Sequence, residues 1–476
     1  MSSKNVVEKD TESEDLISYL KEKIPVEEMR DYASIQRVNS LDLVKGFAII
    51  MIIIYHTSQT WFSRDWQFLS GMVLAVLDIL GPSLFVFLSA LSVIFSIRKK
   101  TGRLPKKVIR ARIFSRGISI MAIGVIFNIV GLSIVRPDIP FPLNLWGWNI
   151  LMFIGFSQIA SYYALKLKKW LRALLGVIII FISPTLRFYL YIGKDSNLLI
   201  WILHFIITSP TPELTLLPWL AICFISTIFG EFLFEAMIDG SEAAYKHLFK
   251  TFIIWGTILV VVGVITGWQL QTPETLVESE YPHLRLYTIM NQQDYYHFPG
   301  MPEFLIRGTI GNMFYNIGAA LLIIAVCFYL IDIKKIDNSF TSMLIYYGKV
   351  SLSLFLVHYI FIPLFPFRFN IVIIVFIILG YLGFMGFFMY IWNEYGNGIG
   401  SPEWFMIQIG RIGQKTGEKV KEEVIKTEEL IAKEIKKTEE KFVREIKKTE
   451  EFIIKEGKKI KEKTKEIIKK EKKKED

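Results

Sequence analysis

The stretch "RVNSLDLVKGFAIIMIIIYHTSQTWF", Arg37–Phe62, decides the fold class. A spanning helix needs roughly 20 largely apolar residues, and Leu43–Phe62 supplies them. Yet the stretch keeps Asp42 and Lys45 at one end and His56 near the other. At about 100° per residue, the eleven steps from Lys45 to His56 close three turns with about 20° to spare. The two side chains therefore share a helix face, roughly 16 Å apart along the axis. An ionisable group in a spanning helix is a functional-site hypothesis, because a charge at the bilayer centre costs several kcal/mol.

The rest of the chain repeats the apolar pattern. Of 476 residues, 52% are hydrophobic and the mean hydropathy is +0.40. These values, with the long apolar runs, predict an all-α polytopic membrane bundle. The runs are Leu43–Phe62, Gly71–Ile97, Ile113–Ile134, Trp146–Leu165, Trp170–Ile192, Leu214–Met237, Phe252–Gln269, Gly308–Ile331, Met343–Leu364 and Phe369–Trp392. That is ten spans, or eleven if the short Leu198–Pro210 stretch is counted rather than read as re-entrant. With ten, the positive-inside rule places Arg98–Arg112, Lys166–Lys169, Asp332–Lys335 and the Lys-rich tail together in the cytoplasm with both termini. The expected location is the plasma (cytoplasmic) membrane. The first segment lacks a basic, then apolar leader, so no cleaved signal peptide is expected. Cys223 and Cys327 each sit in an apolar run and read as packing residues, with no metal-ligand spacing.

Three segments result: a cytoplasmic lead at 1–36, a transmembrane domain at 37–393, and a linker with a charged helix at 394–476. From Arg411 to Asp476 there are 23 Lys and Arg against 17 Asp and Glu, so most of the net charge of +10 belongs to the tail. That placement argues against a nucleic-acid footprint. "EIKKTEE" recurs at Glu434–Glu440 and Glu445–Glu451, and Val424, Ile431, Ile435, Phe442, Ile446 and Ile453 form its apolar stripe. An eleven-residue repeat favours a straight or slightly right-handed helical stripe. It fits either a solvated helix near lipid headgroups or a coiled coil joining copies of the chain.

Several stretches resemble one family. The first helix, with a basic residue, ten residues and then His, is similar to that of the heparan-α-glucosaminide N-acetyltransferase-like proteins and the related acyltransferase-3 family. "GPSLFVFLSALSVIFSIRKK", "FSRGISIMAIGVIFN", "LPWLAICFISTIFGE" and "SLSLFLVHY" resemble later helices of the former. Lys45 stands where Arg is commoner, and Asp78 where relatives carry another polar type. The resemblance, over Arg37–Trp392, implies transfer of an acyl group from acetyl-CoA or another acyl-CoA to a sugar or glycolipid, with no metal.

The residues suit that chemistry. His56 can act as general base, its pKa lying near operating pH, or carry the acyl group. Asp42 can pair with Lys45 or Arg37, or serve as a helix-start carboxylate. Lys45, Arg110, Arg112 and Arg116 offer cations for CoA phosphates, although positive-inside bias also explains basic residues at an inner entrance. Asp78, His297 and His358 are candidates for acceptor contact; His358 could equally bond across helices. Arg187, Glu231 and Glu235 are further boundary or intramembrane charges, and His204 and His283 weaker acceptor candidates. A transporter or lipid-flipping protein using the same buried charges remains the competing reading, and a membrane anchor with a recruiting tail is a third. Removing Arg411–Asp476 is expected to change the oligomeric state, read by light scattering in detergent, and to leave turnover unchanged if the tail only assembles copies.

Overall fold

The computed structural model describes residues 38–63, 76–98, 106–135, 141–208, 215–271 and 301–404, with isolated positions at 73 and between 433 and 458. The chain divides into two units, Met1–Arg411 and Ile412–Asp476. The described residues of the second unit are helical and largely exposed, while its apolar stripe lies outside the described residues.

Twelve helices carry the first unit among the described residues: α1 Asn39–Trp61, α2 Pro82–Arg98, α3 Lys106–Val135, α4 Ile150–Ala164, α5 Lys169–Gly193, α6 Leu198–Thr208, α7 Leu216–Asp239, α8 Glu242–Thr266, α9 Ile310–Phe328, α10 Ser339–Lys349, α11 Ser351–Val357 and α12 Ile371–Glu394. The described strands are Leu270–Gln271 and Met301–Pro302, paired antiparallel. Helical structure dominates because only helices and closed barrels satisfy every backbone group in lipid.

The ten expected runs are all helical in part among the described residues, and not all of them form helices with the length and composition for a crossing. Among the described residues, seven helices are long and apolar enough to span, and eight if the bent pair α10–α11 forms one span. In the Gly71–Ile97 run the long described helix begins only at Pro82, giving 17 residues in α2; α4 has 15. At 1.5 Å per residue these reach about 25 and 22 Å, short of the roughly 30 Å hydrocarbon core. They tolerate this by packing inside protein: Leu84, Val86, Leu88, Ala90, Leu91 and Ile94 of α2 are fully buried. Hydropathy windows register apolar content and do not distinguish lipid-facing helices from core helices. Within Leu198–Pro210, expected as a re-entrant or interfacial piece, Leu198–Thr208 form an eleven-residue apolar helix.

Burial sorts the bundle into two shells. In α1, α7 and α9, 61%, 67% and 61% of the span is buried, against 22% in α8 and 33% in α12. The outer helices present Trp170, Phe181, Ile254, Val372 and Phe376 outward, as lipid-facing surfaces do.

Two charge groups join inner elements. Glu231 of α7 accepts hydrogen bonds from Arg98 of α2 and from the buried Arg172 of α5. Glu235, one turn on, pairs with Lys169 at 2.8 Å. Arg187 is fully buried and donates to the Gly308 carbonyl at 3.0 Å, so it joins α5 to the turn before α9 rather than sitting at a lipid boundary.

Among the glycines of the described residues, the closest approach is between α1 and α10. A β-carbon on Gly348 would lie 1.8 Å from the Asp42 carbonyl oxygen, and one on Gly46 would lie 1.9 Å from that of Leu344. Small residues let backbones approach this closely where lipid offers little hydrophobic drive. Gly348→Ala is expected to cost about 1–3 kcal/mol or more through forced separation, read as a lower thermal midpoint in detergent. Gly380→Ala, whose added carbon meets nothing within 4 Å, is expected to leave the midpoint unchanged.

Candidate active site

The apolar face of α1 turns inward, with Val44, Ala48, Ile49, Ile52 and Ile53 buried. His56 follows one turn after Ile52, half-buried. The end of this helix is fixed by the chain near residue 365. Phe367 N–H donates to the Thr60 carbonyl at 2.8 Å, and those of Arg368 and Phe369 to the Trp61 carbonyl at 3.1 and 3.0 Å. The Trp61 indole donates to the Ile362 carbonyl at 2.8 Å.

The opposing side chains come from a broken span. Helices α10 and α11 meet at Val350 with a bend of 72°. After α11, His358–Ile360 form a 3-10 turn that presents His358 and Tyr359. The Tyr359 hydroxyl lies 2.9 Å from His56 Nε2, and the ring centroids of His56 and His358 are 5.5 Å apart. Phe127 of α3 packs on Tyr359, centroids 4.8 Å apart.

His358 is fully buried and its tautomer follows from its neighbours. Nδ1 lies 3.0 Å from the Leu354 carbonyl oxygen, which can only accept, so Nδ1 carries the proton. In the neutral ring the Nε2 lone pair is then left over, and it has no hydrogen-bond partner among the described residues. The Tyr381 hydroxyl of α12 donates to the His358 carbonyl at 2.6 Å and holds the turn from the other side. The Arg307 guanidinium sits 5.6 Å from the Tyr55 ring centroid, next to His56 in sequence.

The cluster can do base chemistry. A half-buried imidazole, a phenol hydrogen-bonded to it and a second imidazole with an open lone pair can accept, hold and return a proton. Among the described residues, no group of three or more His, Cys, Asp or Glu could hold a metal ion.

The structure brings His56 and His358 together, and the other candidates with described side chains lie elsewhere on α1 and α3. Asp42 is buried near the start of α1, and Lys45 is half-buried one turn on. Arg110 and Arg116 are exposed and Arg112 half-buried along α3. Arg116 precedes Phe127 by eleven residues, the interval that separates Lys45 from His56. Each cation thus lies about 16 Å of helix before a residue that reaches the Tyr359 cluster. Asp78 opens a 3-10 turn, Asp78–Leu80, and its side chain lies outside the described residues. His297 and His283 lie outside them as well. Tyr359 and Arg307 escaped the sequence reading. The clue to Tyr359 was Gly348, Lys349 and two serines inside an otherwise apolar run, which mark the break that turns it toward His56.

Residues 37–263 match the family described as Heparan-alpha-glucosaminide N-acetyltransferase, catalytic. The match supports the family resemblance read from the first helix. Comparison with curated proteins finds no match. Tyr359→Phe removes the hydroxyl partner of His56 Nε2. It is expected to raise severalfold the rate at which diethyl pyrocarbonate modifies His56, at a stability cost of about 1 kcal/mol. Peptide mass spectrometry reads the rate, and an unchanged rate would show that the contact does not govern the imidazole.

Proposed function

From the catalytic-domain signature that residues 37–263 carry, we propose that this chain is an acyl-CoA-dependent membrane acyltransferase. It moves an acyl group, acetyl in the leading form, to a hydroxyl or amine of a sugar or glycolipid. The observation that carries the reading is the imidazole of His56 beside Tyr359 and His358, on the helix face that Lys45 shares.

In the direct route, His56 takes the proton of the acceptor as its oxygen or nitrogen attacks the thioester carbonyl. The carbon–sulfur bond breaks, and the imidazolium returns the proton to the leaving thiolate. In the two-step route the imidazole attacks the thioester carbonyl, the carbon–sulfur bond breaks and the thiolate leaves with a proton. The acceptor then attacks the acyl-imidazole, loses its proton and frees the imidazole. The free Nε2 of His358 accepts a hydrogen bond from the acceptor and helps orient it. Lys45, Arg116, Arg110 and Arg112 hold the phosphates, for which guanidinium offers a planar fork. Asp42 sets the position of Lys45, and Asp78 and His297 contribute to the acceptor side.

The same reading sets the topology. The basic segments at Arg98–Arg112, Lys166–Lys169, Asp332–Lys335 and the tail face the cytoplasm, with both termini, in the plasma membrane. The donor enters from that side, and the lipid bilayer and the glycan or glycolipid are the remaining partners. The tail helix joins copies of the chain.

Isothermal titration of the purified protein with acetyl-CoA or a non-hydrolysable analogue tests the donor. Binding weakened about tenfold or more by Lys45→Ala is expected, since one charged phosphate contact contributes about 1.5–3 kcal/mol. His56→Ala should abolish transfer to a glucosamine-type acceptor while leaving donor binding in place. Absence of any affinity for CoA would sink the reading, and solute flux in liposomes without a donor would favour a transporter.

A further inference from the structure

The site described above depends on α11, a helix of seven residues that starts at a break and ends at His358. A helix this short does not hold itself, because nucleation is unfavourable and few internal hydrogen bonds form. What fixes its first turn comes from beyond the last span.

After α12 the chain reverses within a few residues. Asn397, Gly398 and Gly400 have φ of 49°, 60° and 80°, left-handed values that glycine adopts readily. The turn is closed by Gly398 N–H to the Trp392 carbonyl at 3.0 Å and by the Trp392 indole to the Ile399 carbonyl at 3.0 Å. Ser401 is buried and caps the next turn through Trp404 N–H at 3.1 Å. This delivers Glu403 to the start of α11. Its Oε1 accepts from Ser353 N–H at 2.9 Å, and its Oε2 accepts from the Ser353 hydroxyl. Ser353 is fully buried. Burial pushes the Glu403 carboxyl above its ordinary range, opposed by the hydrogen bonds from Ser353.

We infer that Glu403 is a positioning residue for the candidate active site: the 395–404 strap fixes α11 and so sets where His358 and Tyr359 meet His56. The connection is short and continuous. Glu403 holds Ser353, the next residue is Leu354, and the Leu354 carbonyl fixes the His358 ring through Nδ1. Releasing the first contact frees the carbonyl that sets the tautomer and aim of His358. Glu403 reaches α11 at Ser353, five residues before His358, and acts on the imidazole through that helix. The inference rests on the acyltransferase reading for its effect on turnover, but its geometric part does not.

The test uses the full chain in detergent with Glu403→Ala, Glu403→Gln and Ser353→Ala. Diethyl pyrocarbonate labelling is followed at each histidine by peptide mass spectrometry, with the exposed His247 and half-buried His204 as internal references. In Glu403→Ala, His358 labelling should rise about fivefold or more while His204 and His247 stay within about twofold, as expected for loss of a local hydrogen bond. Turnover should fall about tenfold or more with KM for acyl-CoA within about twofold, because misplacement of catalytic groups costs rate rather than donor binding. Glu403→Gln keeps an acceptor for Ser353 N–H and a polar partner for its hydroxyl, and should restore both readouts substantially. Unchanged His358 labelling in Glu403→Ala overturns the inference even if turnover falls. A rise shared by His204 overturns it too, since that marks general loosening. If the unaltered chain shows no acyl transfer and no affinity for CoA while Glu403→Ala still exposes His358, the acyltransferase reading fails and the strap stands.

Discussion

The interruption at Val350 is the constraint on which the rest of the site depends. Inside a bilayer there is no water to satisfy a freed N–H or carbonyl, so a broken helix survives only where protein groups replace its lost hydrogen bonds. Here the chain after the break is served. Glu403 takes the Ser353 N–H, Tyr381 serves the His358 carbonyl, and the 367–369 segment joins Thr60 and Trp61. The 72° bend turns the chain off the line of α10. Its two imidazoles and the phenol meet beyond that bend, one imidazole from the intact α1 and the other two rings from the broken span.

Much of this was legible residue by residue. The Lys45–His56 interval fixed a shared face before any coordinates, and His358 stood out as an ionisable group deep in an apolar run. Three features were hidden for separable reasons. Hydropathy cannot show that α2 and α4 are short, because a helix wrapped in protein is as apolar as one facing lipid. The partners of Glu231 come from α2 and α5, with Arg98 and Arg172 distant in sequence, and no local pattern encodes that pairing. The residues after Trp392 read as a linker because Gly, Asn and Pro accumulate there. In the structure these residues form a turn that returns Glu403 to the bundle, so the first unit continues to Arg411.

The family match stops at residue 263, while Tyr359, His358, Arg307 and Glu403 all follow it. The matched segment brings α1, with His56, and α3, with Phe127. The later segment brings the groups that orient the imidazole and the strap that holds them. A cluster assembled across so long a chain needs close helix contacts to keep its register, and the Gly46–Gly348 approach provides one. Substitution on either helix at that contact would act on the imidazoles through backbone displacement, without touching them.

The two abbreviated helices near the centre carry a further consequence. At about 25 and 22 Å, α2 and α4 are shorter than a hydrocarbon slab of roughly 30 Å, so polar groups at their ends need partners within the protein. Arg98 at the end of α2 donates to Glu231, and Asn149 at the start of α4 accepts from Met152 N–H and donates to the Gly124 carbonyl at 2.8 Å. Each short helix is thus tied at an end to a neighbour, Arg98 to α7 and Asn149 to α3, so the ends that lipid could not solvate also hold the bundle together.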